Sequence, residues 1–204
     1  MQRKDHWEKV YESKATQSVS WYQPHASMSL SLIAKAELSA DQSIIDVGGG
    51  ASTLIDDLIG LGYKHVTILD ISRAALDATR RRLGSAAETV HWIEGDITQV
   101  ALGENAYDLW HDRAVFHFLT AAEERTAYVA QVTRSLRPGG HLVIATFGPQ
   151  GPTQCSGLPV MRYAPEELYA LFGDGFRLLE HADVVHVTHS SAVQQFVYCL
   201  LVKL

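Results

Sequence analysis

The chain switches repeatedly between two hydrophobic patterns. Short apolar, β-branched runs at 44–47, 66–69, 90–93, 107–110 and 141–147 read as buried strands, and between them apolar residues recur at helical spacing. Met28, Leu32, Ile33 and Ala36 form one helical face over 26–38. Leu54, Ile55, Leu58 and Leu61 form another, capped by Ser52 or Thr53 and stopped by Gly60 and Gly62. Ser72 caps a third helix, which runs through Leu76 to Leu83 and ends at Gly84. Thr120 with Glu123 reads as a capping box for a fourth, with Val129, Val132 and Leu136 on one face and Pro138-Gly139-Gly140 closing it. Strand–helix alternation with short connections specifies a parallel sheet with right-handed crossovers and helices on both faces.

After residue 147 the rhythm changes. Residues 148–163 hold three of the six prolines and three glycines without periodicity, and long structureless loops of this kind tend to be functional. Pro165 opens a helix through Leu168, Leu171 and Phe172 that Gly173 closes. The strand patterns at 176–187 and 193–202 are separated only by 188–192, so they form an antiparallel hairpin. At the other end, residues 1–24 interleave charges with Trp7, Tyr11, Trp21 and Tyr22, which anchor a helix or pack onto the body. The expectation is one domain over 1–204, with an N-terminal helical cap (1–40) on a Rossmann-like α/β core (41–204).

Composition narrows the class. With 204 residues and 47% hydrophobic content the chain supports one substantial core. A net charge of −6 without a basic stripe argues against a nucleic-acid groove, and Arg80-Arg81-Arg82 suits a helix C-terminus. No apolar run approaches the roughly eighteen residues of a membrane span, and the N-terminus lacks a secretion pattern, so a soluble cytoplasmic setting is expected. Cys155 and Cys199 are too few for a disulfide framework or a zinc site. His181, His186 and His189 fall in strand and turn, at spacing that fits no metal site, so no metal is expected.

In such sheets ligands bind beyond the carboxyl ends of the strands. The groups found there are Gly48-Gly49-Gly50, then Asp70, then Asp96-Ile97, then His111-Asp112-Arg113, then the 148–163 loop. Glycines admit a ligand close to the backbone, and the next helix offers free N–H groups. Asp70, about twenty residues on, is placed to accept both hydroxyls of a ribose. Asp96 can accept from an adenine amine while Ile97 covers the ring. The three parts describe an adenosine pocket. A dinucleotide fingerprint wants a glycine where Thr53 stands and a second nucleotide-binding half, but the chain ends in a hairpin, so NAD is the weaker ligand.

Taken together, these motifs resemble the class I S-adenosylmethionine (SAM)-dependent methyltransferases over essentially the whole chain. Asp46-Val47-Gly48-Gly49-Gly50 is similar to that family's first motif, with Ser52 in place of its third glycine. The resemblance implies a seven-stranded sheet of order 3-2-1-4-5-7-6, mostly parallel with the last strand antiparallel. It implies SAM as cofactor and S-adenosylhomocysteine (SAH) as product. It also places Asp46, Gly48, Gly49, Gly50, Asp70, Ile71, Asp96, Ile97 and His111 against the cofactor. His6-Trp7-Glu8-Lys9-Val10-Tyr11, Trp21-Tyr22 and the segment from Asp112 to His117 resemble the branch that holds the elongation factor 1A and citrate synthase lysine methyltransferases. Arg113 and Ala114 stand where that branch has Lys and Gly, and His117 where it has an acid.

Methyl transfer is a displacement that mostly requires an aligned acceptor, and an amine must also lose a proton. Asp112, His111 and His117 are the catalytic candidates. Trp21, Tyr22, Arg113, Phe116, Cys155 and Arg162 are the acceptor-binding candidates, although core packing is an equally direct reading of Phe116. The expected acceptor is an amine or protein lysine. The alternatives are a small-molecule O-, S- or metalloid acceptor, or a NAD enzyme or non-catalytic adenosine-binding module.

Overall fold

The computed structural model describes residues 2–188 and 190–204. Helix α1 (Gln2–Ser13) and helix α2 (Ser27–Lys35) precede the sheet. The core then alternates β1 (Ser43–Val47), α3 (Leu54–Gly60), β2 (His65–Asp70), α4 (Arg73–Leu83), β3 (Val90–Glu94), β4 (Tyr107–Arg113), α5 (Ala122–Ser135) and β5 (Leu136–Phe147). A two-rung hairpin, β6 (Gln154–Cys155) and β7 (Leu158–Pro159), follows, then α6 (Pro165–Ala170), β8 (Phe176–Val187) and β9 (Val193–Lys203).

The large sheet has the order β3-β2-β1-β4-β5-β9-β8. β1 to β5 are parallel, and β9 runs antiparallel between β5 and β8. This is the expected topology, with β8 and β9 as its sixth and seventh strands. Inner strands are buried on both faces, which is why they read as continuous apolar runs. One face packs Leu32, Ile33, Leu54, Ile55 and Leu58 from α2 and α3 against Ile44, Ile68 and Val143. The other packs Tyr128 and Val132 of α5 and Leu168 of α6 against Ile45, Trp110 and Leu142.

Several local details depart from the sequence reading. β4 runs three residues beyond the apolar stretch, so His111, Asp112 and Arg113 lie within the strand. A buried polar network makes this possible: Trp110 Nε1 donates to Tyr128 Oη at 3.0 Å, and that hydroxyl donates to Asp112 Oδ2 at 2.6 Å. The cap of α5 sits one residue later than Thr120/Glu123, and only its acidic half exists, with Ala121 N donating to Glu124 Oε2 at 3.4 Å. Pro138, Gly139 and Gly140 belong to the entry of β5, because α5 has already ended at Ser135. Residues 148–163 are tied down by the β6–β7 pairing. Trp7 and Tyr11 lie in α1 while Trp21 and Tyr22 follow it in irregular chain, and the cluster packs on the body, with Trp7 edge-on to Phe118 at 5.1 Å and to Trp21 at 5.6 Å.

Candidate active site

The glycine turn after β1 is tight because the protein's own side chains fill its surroundings. A Cβ on Gly48 (φ +72°) would lie 2.0 Å from Val115 Cγ2, one on Gly49 2.1 Å from Asp46 Oδ2, and one on Gly50 2.5 Å from Asp70 Oδ2. The bare backbone therefore admits the two acids that face the ligand side, a stronger demand for glycine than ligand approach alone.

Those acids are held differently. Asp70 Oδ2 accepts from Gly50 N at 3.0 Å and Oδ1 from Ser72 N at 2.8 Å, which leaves further lone pairs on each oxygen. Burial pushes its carboxyl up to about 6, against the pull of those two N–H groups. Asp46 Oδ1 pairs with His111 Nδ1 at 2.7 Å, and His111 Nε2 meets Ser29 Oγ at 2.8 Å. With the carboxylate as acceptor, Nδ1–H donates to Asp46, and Nε2 is hydrogen-bonded to the Ser29 hydroxyl. The other oxygen, Asp46 Oδ2, is buried without a partner.

Two connected lobes open over these groups. The larger runs from Asp70, Ile71, Asp96 and Ile97 past Trp7 and Val115 to Phe147, Cys155, Gln194 and Phe196 and, with the open solvent at its mouth, encloses about 840 Å³. The smaller lies over Asp46, Gly48, Gly49 and His111 beneath Trp21 and Tyr22 and on the same measure encloses about 550 Å³. Tyr11, Trp21, Val47, Gly48 and Arg113 line both, so the lobes form one groove across the carboxyl ends of β1, β2 and β4. Asp96 Oδ1 accepts from Thr98 N at 2.9 Å and Thr98 Oγ1 at 2.7 Å, which fixes its carboxylate at the rim.

Not every candidate reaches this groove. Asp112 is fully buried on the opposite sheet face, where Oδ1 accepts from Val115 N at 2.8 Å and Oδ2 from Phe116 N at 3.1 Å. It braces the turn after β4, and burial pushes its carboxyl up to about 6. His117 is fully buried too. Its Nδ1 accepts from Phe147 N at 3.3 Å, and burial holds its imidazole down at about 3, so it stays neutral. Phe116 sits in the core against Tyr128 and Tyr163, and Phe118 takes the place on the groove assigned to it. Arg162 is exposed and clamps its own loop through Pro149 O at 2.9 Å and Gly151 O at 3.3 Å. Cys155 does line the groove, with its thiol pushed up to about 11 by burial. Among the described residues no three His, Cys, Asp or Glu side chains converge on a metal position. His181 and His186 point to opposite faces of β8, and His189 lies outside the described residues.

Sequence reasoning missed Glu8. Its carboxylate accepts from Arg73 N at 2.8 Å, Ala74 N at 2.9 Å and Ser72 Oγ at 3.0 Å. It thus caps α4 from α1 and pins α1 over the groove. Burial alone would raise its carboxyl, but the Ala74 and Arg73 N–H groups outweigh that and hold it below the usual range. A helix-start acid across 64 residues leaves no local signature; only its place in the Trp7–Tyr11 cluster hinted at a role.

Residues 44–140 match the methyltransferase-domain family. That stretch, just under half of the chain, is a methyltransferase domain of the SAM-dependent class. The protein is 25% identical to the eEF1A lysine and N-terminal methyltransferase of Bos taurus, over 67% of this chain and 20% of that protein. It is 30% identical to a ubiquinone/menaquinone biosynthesis C-methyltransferase of Roseobacter denitrificans, over 53% of this chain and 43% of that protein. The chain thus spans less than half the length of either relative. The 1,6-didemethyltoxoflavin-N1-methyltransferase of Burkholderia thailandensis, solved with its substrate and SAH, superposes with a TM-score of 0.70 over 99% of this chain and 84% of that one. At 18% identity that likeness concerns the fold. The groove's polar groups fit SAM. The unpartnered Asp46 Oδ2 suits the ammonium of a methionine tail, and the remaining lone pairs of Asp70 suit a ribose.

Proposed function

We propose that this methyltransferase binds SAM along the groove and methylates a small-molecule acceptor in the lobe lined by Phe118, Phe147, Cys155 and Phe196. In this reading Asp70 holds the ribose hydroxyls, Asp96 and Ile97 the adenine, and Asp46 the methionine ammonium, with His111 and Ser29 keeping the Asp46 carboxylate oriented. Bound there, SAM supplies an electrophilic methyl group on a sulfonium. The protein's own contribution is alignment and exclusion of water by Trp7, Tyr11 and Trp21.

The observation that carries the small-molecule reading is the missing base. Asp112 and His117 are buried in structural roles, and His111 is engaged at both nitrogens. Among the described residues that line the larger lobe, the only carboxylates are Asp70 and Asp96, which this reading gives to the adenosine, so none is left to hold or deprotonate an ammonium group at the Phe147 and Phe196 end, where Arg113 lines the wall. The acceptor therefore brings a nucleophile that is already ionised or needs no base. Protein lysine is the second reading, supported by similarity to the eEF1A methyltransferase. Labelled SAM, incubated with the protein and a desalted lysate with and without its low-molecular-weight fraction, separates the two. Label is expected in acid-soluble product and only when the small molecules are present. Label in lysine of precipitated protein would establish the second reading instead.

A further inference from the structure

Arg113 stands where the two lobes meet. From β4 its side chain crosses Ala145 of β5, the register partner of both Arg113 and Tyr198, and Nε donates to Tyr198 Oη at 2.9 Å. Nη1 donates to Trp21 O at 3.0 Å, and the guanidinium carbon lies 4.6 Å above the Phe196 ring. All three partners are neutral. Among the described residues no carboxylate pairs with this cation, and Nη2 is buried with no partner at all.

A guanidinium stays charged at any physiological pH, and a charge drawn out of water without a counter-ion is costly. The titratable groups that feel its charge do not compensate it. Cys155, His117 and His186 are all kept neutral by burial. Arg3, the other cation on the groove, is already paired with Glu124 at 2.7 Å. The acids Asp70 and Asp96 lie at the adenosine end, whereas Arg113 reaches the other way, two strands over to β9. Gln194, which lines the same lobe, also has a buried oxygen without a partner.

We propose that Arg113 is the seat of an anionic group, a carboxylate or comparable oxyanion, on the methyl acceptor, whose apolar body packs among Phe118, Phe147 and Phe196. The inference rests on the methyltransferase reading and narrows its substrate class. The planar fork is held by Tyr198 and Trp21 with one edge unsatisfied, the arrangement that suits an oxyanion. A cationic acceptor would meet uncompensated like charge.

Benzoate is the probe, with benzamide as its neutral counterpart and benzylamine as its cationic one, titrated calorimetrically onto the SAH-saturated full chain. Benzoate is expected to bind, benzamide about tenfold or more weakly, and benzylamine not measurably. Arg113→Gln is expected to weaken benzoate about tenfold to a hundredfold and to leave benzamide unchanged, with Arg113→Lys between. SAH affinity is measured first and reports folding of each variant. If SAH does not bind the wild type, the methyltransferase reading fails. If SAH binds but benzoate does not, or Arg113→Gln leaves benzoate unaffected, the Arg113 inference fails alone. A third ligand, 5′-methylthioadenosine, lacks the methionine carboxylate. Should Arg113→Gln weaken SAH but neither 5′-methylthioadenosine nor benzoate, the anion is the cofactor's and the acceptor proposal is overturned.

Discussion

At Gly50 a missing side chain is what lets Asp70 approach the backbone. A methyl there would meet Asp70 Oδ2 at 2.5 Å and Ala75 Cβ at 2.7 Å, so the carboxylate or α4 has to move. Gly50→Ala is expected to destabilise the fold by about 1–3 kcal/mol and to weaken SAH at least about tenfold. Urea midpoints and calorimetry check both, and an unchanged SAH affinity would refute the role given to Asp70. The titration of Asp70 carries a sign. Burial raises its folded value to about 6 from 3.8, so the empty protein favours the protonated form between those values. That contribution to stability is lost as pH rises through 6. Ribose hydroxyls prefer the ionised acceptor, so SAH affinity is expected to rise through pH 6 and level off, about tenfold weaker at pH 5 than at pH 7.5. A flat profile would sink the assignment. Arg113 shows a different limit at this scale: its residue type is visible in the sequence, its lack of a counter-ion only in space.

At the scale of elements, α1 and α4 are coupled by Glu8. The carboxylate occupies the N-terminus of α4 beside the Ser72 cap, whose hydroxyl accepts from Ala75 N at 3.2 Å. Charge of this sign suits that helix end. Glu8→Ala is expected to cost about 1 kcal/mol in global stability. A larger effect is expected on local opening of α1, because its other polar anchors, Arg3 to Glu124 and Phe118 O and Lys4 to Glu94, are at the surface and all lie in its first turn. Proteolysis within residues 2–13 should accelerate in the variant and slow again in the wild type when SAH is added. Equal cleavage of the two proteins would show that the aromatic contacts of Trp7 suffice. The turn after β4 is a second such device. Asp112 takes three backbone and side-chain donors beneath it, and the chain above can then present Arg113, Ala114 and Val115 to the groove.

For the whole molecule, three buried titratable groups shape the acid limb of stability. His117 is held down at about 3, so its contribution is complete above about 6.5 and is lost as pH falls towards 3. Asp70 and Asp112, both raised to about 6, act in the opposite direction over about pH 6 to 4 and mask it. His117→Asn keeps an acceptor near Phe147 N and removes the titration. Its destabilisation relative to wild type is therefore expected to shrink on going from pH 7 to pH 4.5, by about 1.4 kcal/mol per pH unit at most. Denaturant titrations at the two values decide it; a constant difference would mean that His117 is not buried neutral. The fold itself was legible at a distance. Strand and helix periods, the glycine turn, the Ser72 cap and the terminal hairpin are local patterns, and they specify a parallel α/β sheet with crossovers, whereas its strand order came only from the family resemblance. Asp46, Asp70, Asp96, Gly48 and Gly49 were placed at the groove by the same logic, since strand ends converge on one edge, whereas Gly50 lies behind it against Asp70 and Ala75. Which polar residues of β4 face that edge was not legible. Side chains alternate along a strand, so its true end and phase send His111 and Arg113 to the groove and Asp112 to the core. Their partners, Ser29, Trp21, Tyr128 and Tyr198, lie 16 to 92 residues away. The sequence by itself determined the class of sheet and the acidic end of the groove at Asp70 and Asp96. The tertiary structure alone decided which acid braces, which base is buried, and which cation is left without a counter-ion among the described residues, because those depend on burial and pairing between distant segments.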